Sequence, residues 1–562
     1  MDKRTILAIV LALAVLLVYQ VFFVKPPVPQ KAATSQQSTD QVKKDKAAAP
    51  ASSSVTSTSI AKTAPNEASV KPEEPARDIK VETARYTAVF STRGAALKSL
   101  KLKDYYQDCY GCTDDIWPKI KGLFTGTTTV DKPKTKDFVE LVDVREGMPY
   151  PLAVTFPDSS ADIAPDAVFD TTASKLDVVS GQEKKQLVFS KSYRDIKIEK
   201  IFTIDPAGYA IGLEIKLYNL SASPITQIPR LNWYQYVDPQ KIEDSYGHEG
   251  PAVSVGGSIE RLEVKKMTGE SVLGPNIPWG AFESKYFIAS FIPENPSLTN
   301  VVMSRDAADM VAVGMKGRKE VIPGGQNSAF SYQLYLGPKQ YDLLKALGVG
   351  LESAIDFGWF WWLAIPALYI LNFLHGFVLN YGIAIIILTT IIKIIFWPLG
   401  NLSYKSMNEM KKLQPKIEAL KEKYKNDQSK IGQETMALYR EHKVNPFSGC
   451  LPMLIQIPVF FGLYKALMYS IELRHSPLFF WIQDLSAQDP YYITPIIMGA
   501  TQFISQKMTP AMGDPMQQKI MLFMPIIFTF FFLNFPAGLV IYWLFNNILQ
   551  IGQQYYINRK LA

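Results

Sequence analysis

Lys393 stands inside the apolar run Tyr381–Leu399 (YGIAIIILTTIIKIIFWPL), where a cation costs roughly 2.5–3.5 kcal/mol on membrane-insertion scales. At about 1.5 Å per residue the run is long enough to cross a bilayer, so its one charge is a functional candidate. The later apolar stretches, Gly449–Tyr469, Tyr491–Met508 and Ile520–Tyr556, hold no Asp or Glu to neutralise it. They hold amides instead: Gln456, Gln502, Gln506, Asn534, Asn546, Asn547 and Gln550. Gln502 and Gln506, and likewise Asn546 and Gln550, share a helix face. Gln456 lies about 10 Å from the cytoplasmic start of its span, and Lys393 a similar depth from its own cytoplasmic end. A positive charge among amides describes a wet, electropositive cavity inside a membrane. The competing reading is a snorkelling lysine, whose stem nearly reaches the interface marked by Trp397 and Pro398, about 6–8 Å further on.

Other chemistry finds less support. Cys109 and Cys112 form a C-x-x-C pair. No βαβ pattern makes them a redox dithiol, and no further ligands complete a zinc site, so a local loop disulfide in an oxidising compartment fits best. His248 is the only histidine between Ile79 and Gly337, too few for the acid–base set of a sugar-modifying enzyme. His375 and Cys450 read as interfacial and packing residues. The net charge of +7 over 562 residues comes without a basic stripe interleaved with aromatics, so no direct nucleic-acid ligand is expected. No metal or cofactor is expected either.

Several elements must position these residues. Ile6–Val24, preceded by Lys3 and Arg4, reads as an uncleaved signal-anchor ending near residue 25. Gln30–Asp78, rich in Ala, Ser, Thr, Pro and Lys, reads as a disordered tether. Residues 79–337 alternate in short runs such as Lys197–Ile204, Ala210–Leu217, Tyr286–Ile292 and Phe330–Leu336, the pattern of antiparallel strands in a sandwich outside the cytoplasmic membrane. Residues 338–380 read as an interfacial helix opening on Trp359, Trp361 and Trp362. Were that segment and 381–400 both to cross, the lysine-rich stretch Asn401–Pro446 would fall outside, against the positive-inside rule. The spans expected are therefore the anchor, 381–400, 449–470, 491–509, 520–535 and 537–556, with both termini cytoplasmic. Between the first two of this later group, residues 405–443 form a charged helical hairpin turning at Asn426-Asp427-Gln428. Its Lys421, Lys423, Tyr424 and Lys425 are candidates for contact with nascent chains, anionic lipids or a targeting partner.

Five stretches, Met410–Ile417 (MKKLQPKI), Val444–Gln456 (VNPFSGCLPMLIQ), Trp481–Tyr492 (WIQDLSAQDPYY), Asp514–Pro525 (DPMQQKIMLFMP) and Asn534–Val540 (NFPAGLV), resemble the YidC/Oxa/Alb family of membrane insertases in its Gram-negative form. The likeness covers essentially the whole chain. It implies a polytopic α-helical inner-membrane protein with a five-helix insertase core enclosing a hydrophilic groove. A first anchoring span and a periplasmic β-supersandwich are added. It implies insertion and folding of nascent membrane proteins, alone or beside the Sec translocon, with the ribosome or the signal recognition particle and its receptor as further partners. Lys393 matches the groove's positive residue, commonly Arg in relatives; Lys keeps the charge and loses the bidentate fork. Thr389, Tyr542 and Trp543 match substrate-facing positions. The end of the chain, Asn558–Ala562, lacks the long basic tail some relatives use to hold ribosomes.

Two other classes compete. An ion- or proton-coupled transporter usually places carboxylates at depth or shows inverted repeats, and neither is seen. A sugar-modifying outer domain is the other, since the supersandwich resembles mutarotase-type folds. All the groove candidates follow Gly337, so the outer domain, held loosely by its tether, is expected to be largely dispensable: deleting about Val81–Ala210 should leave insertion measurable, provided the remainder still folds.

Overall fold

The computed structural model describes residues 75–109, 112, 136–160, 163–179, 181, 183–193, 195–238, 247–425, 427–442, 444, 451–509 and 515–561. The expected signal-anchor, most of the tether, Lys443 and Cys450 lie outside the described residues.

Ile196–Ile204 (IKIEKIFTI) and Ala210–Asn219 (AIGLEIKLYN) bury every second side chain, as a strand with one face on a core must. They pair as a hairpin, Ile196 opposite Asn219. This hairpin belongs to an eight-stranded antiparallel sheet. In spatial order its strands are Ser258–Arg261, Gly250–Val255, Gly280–Glu283, Phe287–Pro293, Asn327–Pro338, Ala210–Asn219, Ile196–Ile204 and Lys185–Ser192. Two five-stranded sheets pack on it. Phe90 of Tyr86–Ser91 reaches Phe202 with ring centroids 4.7 Å apart. Trp233 of Arg230–Tyr236 reaches Phe291 at 6.2 Å. All four expected strand segments are strands, within one to three residues at their ends.

The sheets share one core that does not stop at the last strand. It runs on through Leu344, Leu351 and Phe357 to Ala364, Leu368 and Ala466. The outer domain is therefore packed onto the helices, not only tethered, and residues from Lys71 onward form one compact unit. Deleting Val81–Ala210 would remove Phe90, Phe189 and Phe202 from the shared core, which makes that deletion a test of folding rather than of dispensability.

The helical part contains α1 (Tyr341–Lys345), α2 (Trp361–Val378), α3 (Tyr381–Ile395), α4 (Trp397–Lys423), α5 (Gln428–Glu441), α6 (Leu451–Tyr469), α7 (Ile493–Met508), α8 (Pro515–Phe532) and α9 (Ala537–Leu561). The segment 338–380 is thus not one helix. Gly348, Gly350 and Gly358 have φ of +72°, +74° and +64°, left-handed backbone that separates α1 from α2. Helix α2 is the one described helix long and apolar enough to cross a membrane unbroken; α3 and α4 qualify only if counted as one span bent by 60°. Leu379 (φ +52°) and Asn380 link α2 to α3, and Asn380 caps α3 by accepting from the Ile383 amide at 3.0 Å. This linker is even shorter than the one judged too tight for a reversal. Helix α9 is central, packing on α3, α4, α6 and α7, whereas α8 packs closely on α7. Their crossing requires glycine at 499, because a Cβ there would lie 1.9 Å from the Thr529 hydroxyl.

Candidate functional site

The break between α3 and α4 changes where Lys393 sits. The expected span 381–400 ends at Ile395, and the first hairpin helix begins at Trp397 rather than near Lys405. Pro398 offers no N–H to the Ile394 carbonyl and its ring would clash there, so the helix cannot run straight on. Lys393 accordingly lies in the last turn of α3, about 3 Å from its end instead of the expected 10 Å. It is half-buried, and among the described residues no charged group faces it. The Thr389 hydroxyl, one turn earlier, is buried and donates to the Ile385 carbonyl of its own helix at 2.7 Å.

Four of the polar and aromatic candidates meet. Gln456 lies against the Tyr542 side chain, and the Trp543 indole N–H donates to Gln502 Oε1 at 3.2 Å. Phe460 stands edge-on to Trp543 at 4.6 Å, with Phe532 at 5.3 Å and Phe528 at 6.1 Å. Ile392, beside Lys393, packs into the same apolar cluster as Tyr542 and Trp543. The site is thus an aromatic floor edged by two amides, with Ile392, the residue before Lys393, packed into the same apolar cluster.

The other amides do different work. Asn547 is buried and donates to the Met498 carbonyl and the Thr501 hydroxyl, both at 3.4 Å, along the α7–α9 seam. Asn546 is buried in α9, Gln506 is half-buried in α7, and Gln550 lies near Tyr404 of α4. Gln553 and Gln554 were not among the candidates. Gln553 donates to the Trp397 carbonyl at 3.0 Å and to Asn401 at 3.1 Å, stitching α9 to the start of α4. Gln554 donates to Thr509 at 3.4 Å. Their spacing after Asn546 and Gln550 was the available signal. Lys465 of α6 was also passed over; it pairs with Asp356.

At the far end of α4, Lys421, Lys423 and Lys425 are exposed, and the Tyr424 ring lies 5.3 Å from the Lys423 ammonium and 5.1 Å from that of Lys430. Asp427 caps α5 through the Lys430 amide at 2.9 Å. The apolar seam of the hairpin does more than join its own two helices: Tyr404, Met407 and Met410 pack with Ile557 of α9. Among the described residues no three His, Cys, Asp or Glu side chains are grouped to hold a metal. Cys109 and Cys112 are joined in a disulfide. An apolar cleft of about 580 Å³ lies between α7 and α8, lined by Ile496, Phe503, Pro525 and Phe530, away from Lys393.

Two family profiles match: the 60Kd inner membrane protein over residues 373–562 and the YidC periplasmic domain over residues 127–370. The membrane protein insertase YidC of Syntrophus aciditrophicus is 55% identical over 571 aligned residues, covering 100% of both chains. That of Geobacter metallireducens is 40% identical over 563, covering 100% of this chain and 99% of the other. A crystal structure of an active YidC insertase with its first transmembrane domain resolved aligns with 87% of this chain and 93% of its own. It does so at 21% identity and a TM-score of 0.36, too low for the superposition to carry any argument. With full-length identity at these levels, the chain belongs to the YidC family of membrane protein insertases, inner-membrane proteins that carry a periplasmic domain.

Proposed function

We propose that the chain inserts nascent membrane proteins by drawing a polar segment into a groove formed where α3, α6 and α9 converge. The observation that carries this reading is the meeting of Gln502 with Trp543 and of Gln456 with Tyr542, in an apolar cluster that also takes in Ile392, the residue before the half-buried Lys393. Lys393 attracts an acidic tail part-way, the amides keep the path wet, and the aromatic floor leads the apolar segment into lipid. Short helices help: the 15 residues of α3 reach about 22 Å, against a hydrocarbon core of about 30 Å, and such mismatch thins the bilayer. A transporter reading does not go with this family.

The topology we propose has six crossings: an N-terminal anchor, α3, α6, α7, α8 and α9, with both termini and the α4–α5 hairpin cytoplasmic and α2 at the periplasmic interface. Two contacts support the outer placements. Ala364 and Leu368 of α2 belong to the core of the β-domain. Arg474, in the loop after α6, donates to the Gln107 carbonyl at 3.0 Å and lies over the Phe287 ring. We further propose nascent chains, the Sec translocon, anionic lipids and the ribosome or signal recognition particle system as partners, with the hairpin lysines as a contact surface.

Photo-crosslinkers at positions 502 and 543, and at Phe530 on the opposite side of α8, test the groove during synthesis of a client with an acidic tail. Crosslinks from 502 and 543 that precede those from 530 are expected. Crosslinks from 530 alone would rule the groove out.

A further inference from the structure

Glu283 is completely buried and accepts hydrogen bonds from Arg261 Nε at 2.6 Å and from Lys339 Nζ at 2.8 Å. Burial alone would raise its carboxyl, but the two cations outweigh it and hold the group below its ordinary value. Lys339, itself buried, also donates to the Ser284 carbonyl at 3.0 Å. Arg261 reaches on, its second arm donating to the Ala354 carbonyl at 2.9 Å. Two residues later Asp356 accepts from Lys465 Nζ of α6 at 2.6 Å and from the Gly358 amide at 3.0 Å.

Lys465 is enclosed. Its side chain is 19% exposed, its ammonium lies 4.9 Å from the Tyr469 ring centroid, and its stem lies over Gly358, where a Cβ would come within 3.3 Å of its Cε. The Asp356 side chain is 43% exposed, so solvent screens the pair in part, but Lys465 on its enclosed side has this carboxylate as its ion-pair partner. Hydrogen bonds and the short backbone step from Ala354 to Asp356 thus connect two strands of the outer domain to α6. Nine residues back along α6, about 13.5 Å, stands Gln456.

We propose that Asp356 and Lys465 are positioning residues: they lock α6 to the ionic hub at Glu283, so that the outer domain sets where the groove wall stands. This rests on the groove reading only for its effect on insertion; the placement of α6 can be measured separately. In the full-length chain in membranes, Cys450→Ser removes the third cysteine and Gln456→Cys supplies a reporter whose alkylation rate follows the exposure of that face. Asp356→Lys and Lys465→Glu should each change the rate severalfold, and the double exchange should restore it while the outer domain keeps its resistance to trypsin. Where a reversal prevents accumulation of the protein, Asp356→Asn, equal in shape but uncharged, serves for the comparison. An unchanged alkylation rate in the single variants would overturn the proposal whatever insertion does. So would a double exchange that stays perturbed with the outer domain intact. Altered alkylation, restored by the exchange, with client insertion unchanged throughout would uphold the joint and remove the groove reading instead.

Discussion

Phe291 and Phe530 are the same residue in opposite situations. Phe291 is wholly buried where the sheets of the outer domain meet, whereas Phe530 on α8 is 70% exposed, with Phe523, Ile526 and Phe531 exposed beside it. The polar residues show the reverse. Lys200 of the outer domain is buried only because its ammonium donates to three carbonyls, Gly94 at 3.0 Å and Ala95 and Leu152 at 2.6 Å. In the helical half, amides such as Asn547 and Gln553 bond between helices, while alongside a buried apolar cluster many apolar side chains face outward. Water drives apolar groups inward in the first region, and lipid removes that drive in the second, leaving polar groups to find each other. The difference tells which surface meets which solvent, and four expectations can break or sharpen it.

The largest effect is expected at Lys393. Lys393→Glu should abolish insertion of clients with acidic tails in proteoliposomes, and Lys393→Arg should retain it, because the groove needs a cation more than a particular geometry. Wild-type rates with Lys393→Ala for every client tested would mean that charge attraction plays no part. Next, Phe291→Ala should cost the outer domain about 3–5 kcal/mol, read by denaturant unfolding of the full-length protein in detergent. Phe530→Ala should stay within about 0.5 kcal/mol. Equal losses would erase the contrast between the two halves.

A smaller, pH-dependent effect follows from Lys200, whose pKa burial pulls down to about 7. Between that value and the ordinary lysine value of about 10.4 the unfolded chain binds more protons, so stability rises with pH by at most about 1.4 kcal/mol per unit. The three carbonyl acceptors favour the ammonium and so act against burial, narrowing the pH range over which that slope applies. The contribution is complete above the ordinary value and lost as pH falls to about 7. Unfolding free energies measured between pH 7 and 10 should show the slope, and Lys200→Met should flatten it; identical slopes would refute the assignment. The smallest change is expected at the hairpin: replacing Lys421, Lys423 and Lys425 by Gln should weaken capture by anionic vesicles by about 1 kcal/mol per charge, a deficit that shrinks with salt. A deficit indifferent to salt would point to packing instead.

Local patterns were readable wherever they decide local structure. Alternation marked the hairpin Ile196–Ile204 with Ala210–Asn219 because a strand's two faces repeat every second residue. Lys393 was conspicuous because one charge in an apolar run stands out whatever surrounds it. Five ordered motif matches named the family. The bend after Ile395 was also present in the sequence, in Pro398, yet apolar composition carried the expected span across it, since hydropathy records length and not direction.

Residues far apart in the chain were another matter. Nothing in the sequence singles out Lys465, and only folding sets it 2.6 Å from Asp356, 109 positions earlier. The tether suggested a loosely held outer domain, yet the shared core and the Glu283 hub join it to α6. The amides were recognisable as a polar set, but which ones edge the aromatic floor and which stitch helices together depends on helix crossings such as the one at Gly499. Period, charge and motif are properties of neighbours along the chain, so the sequence by itself determined the elements, the family and the charged candidate. Partnership across a hundred residues depends on how rigid elements pack, and the tertiary structure alone decided it.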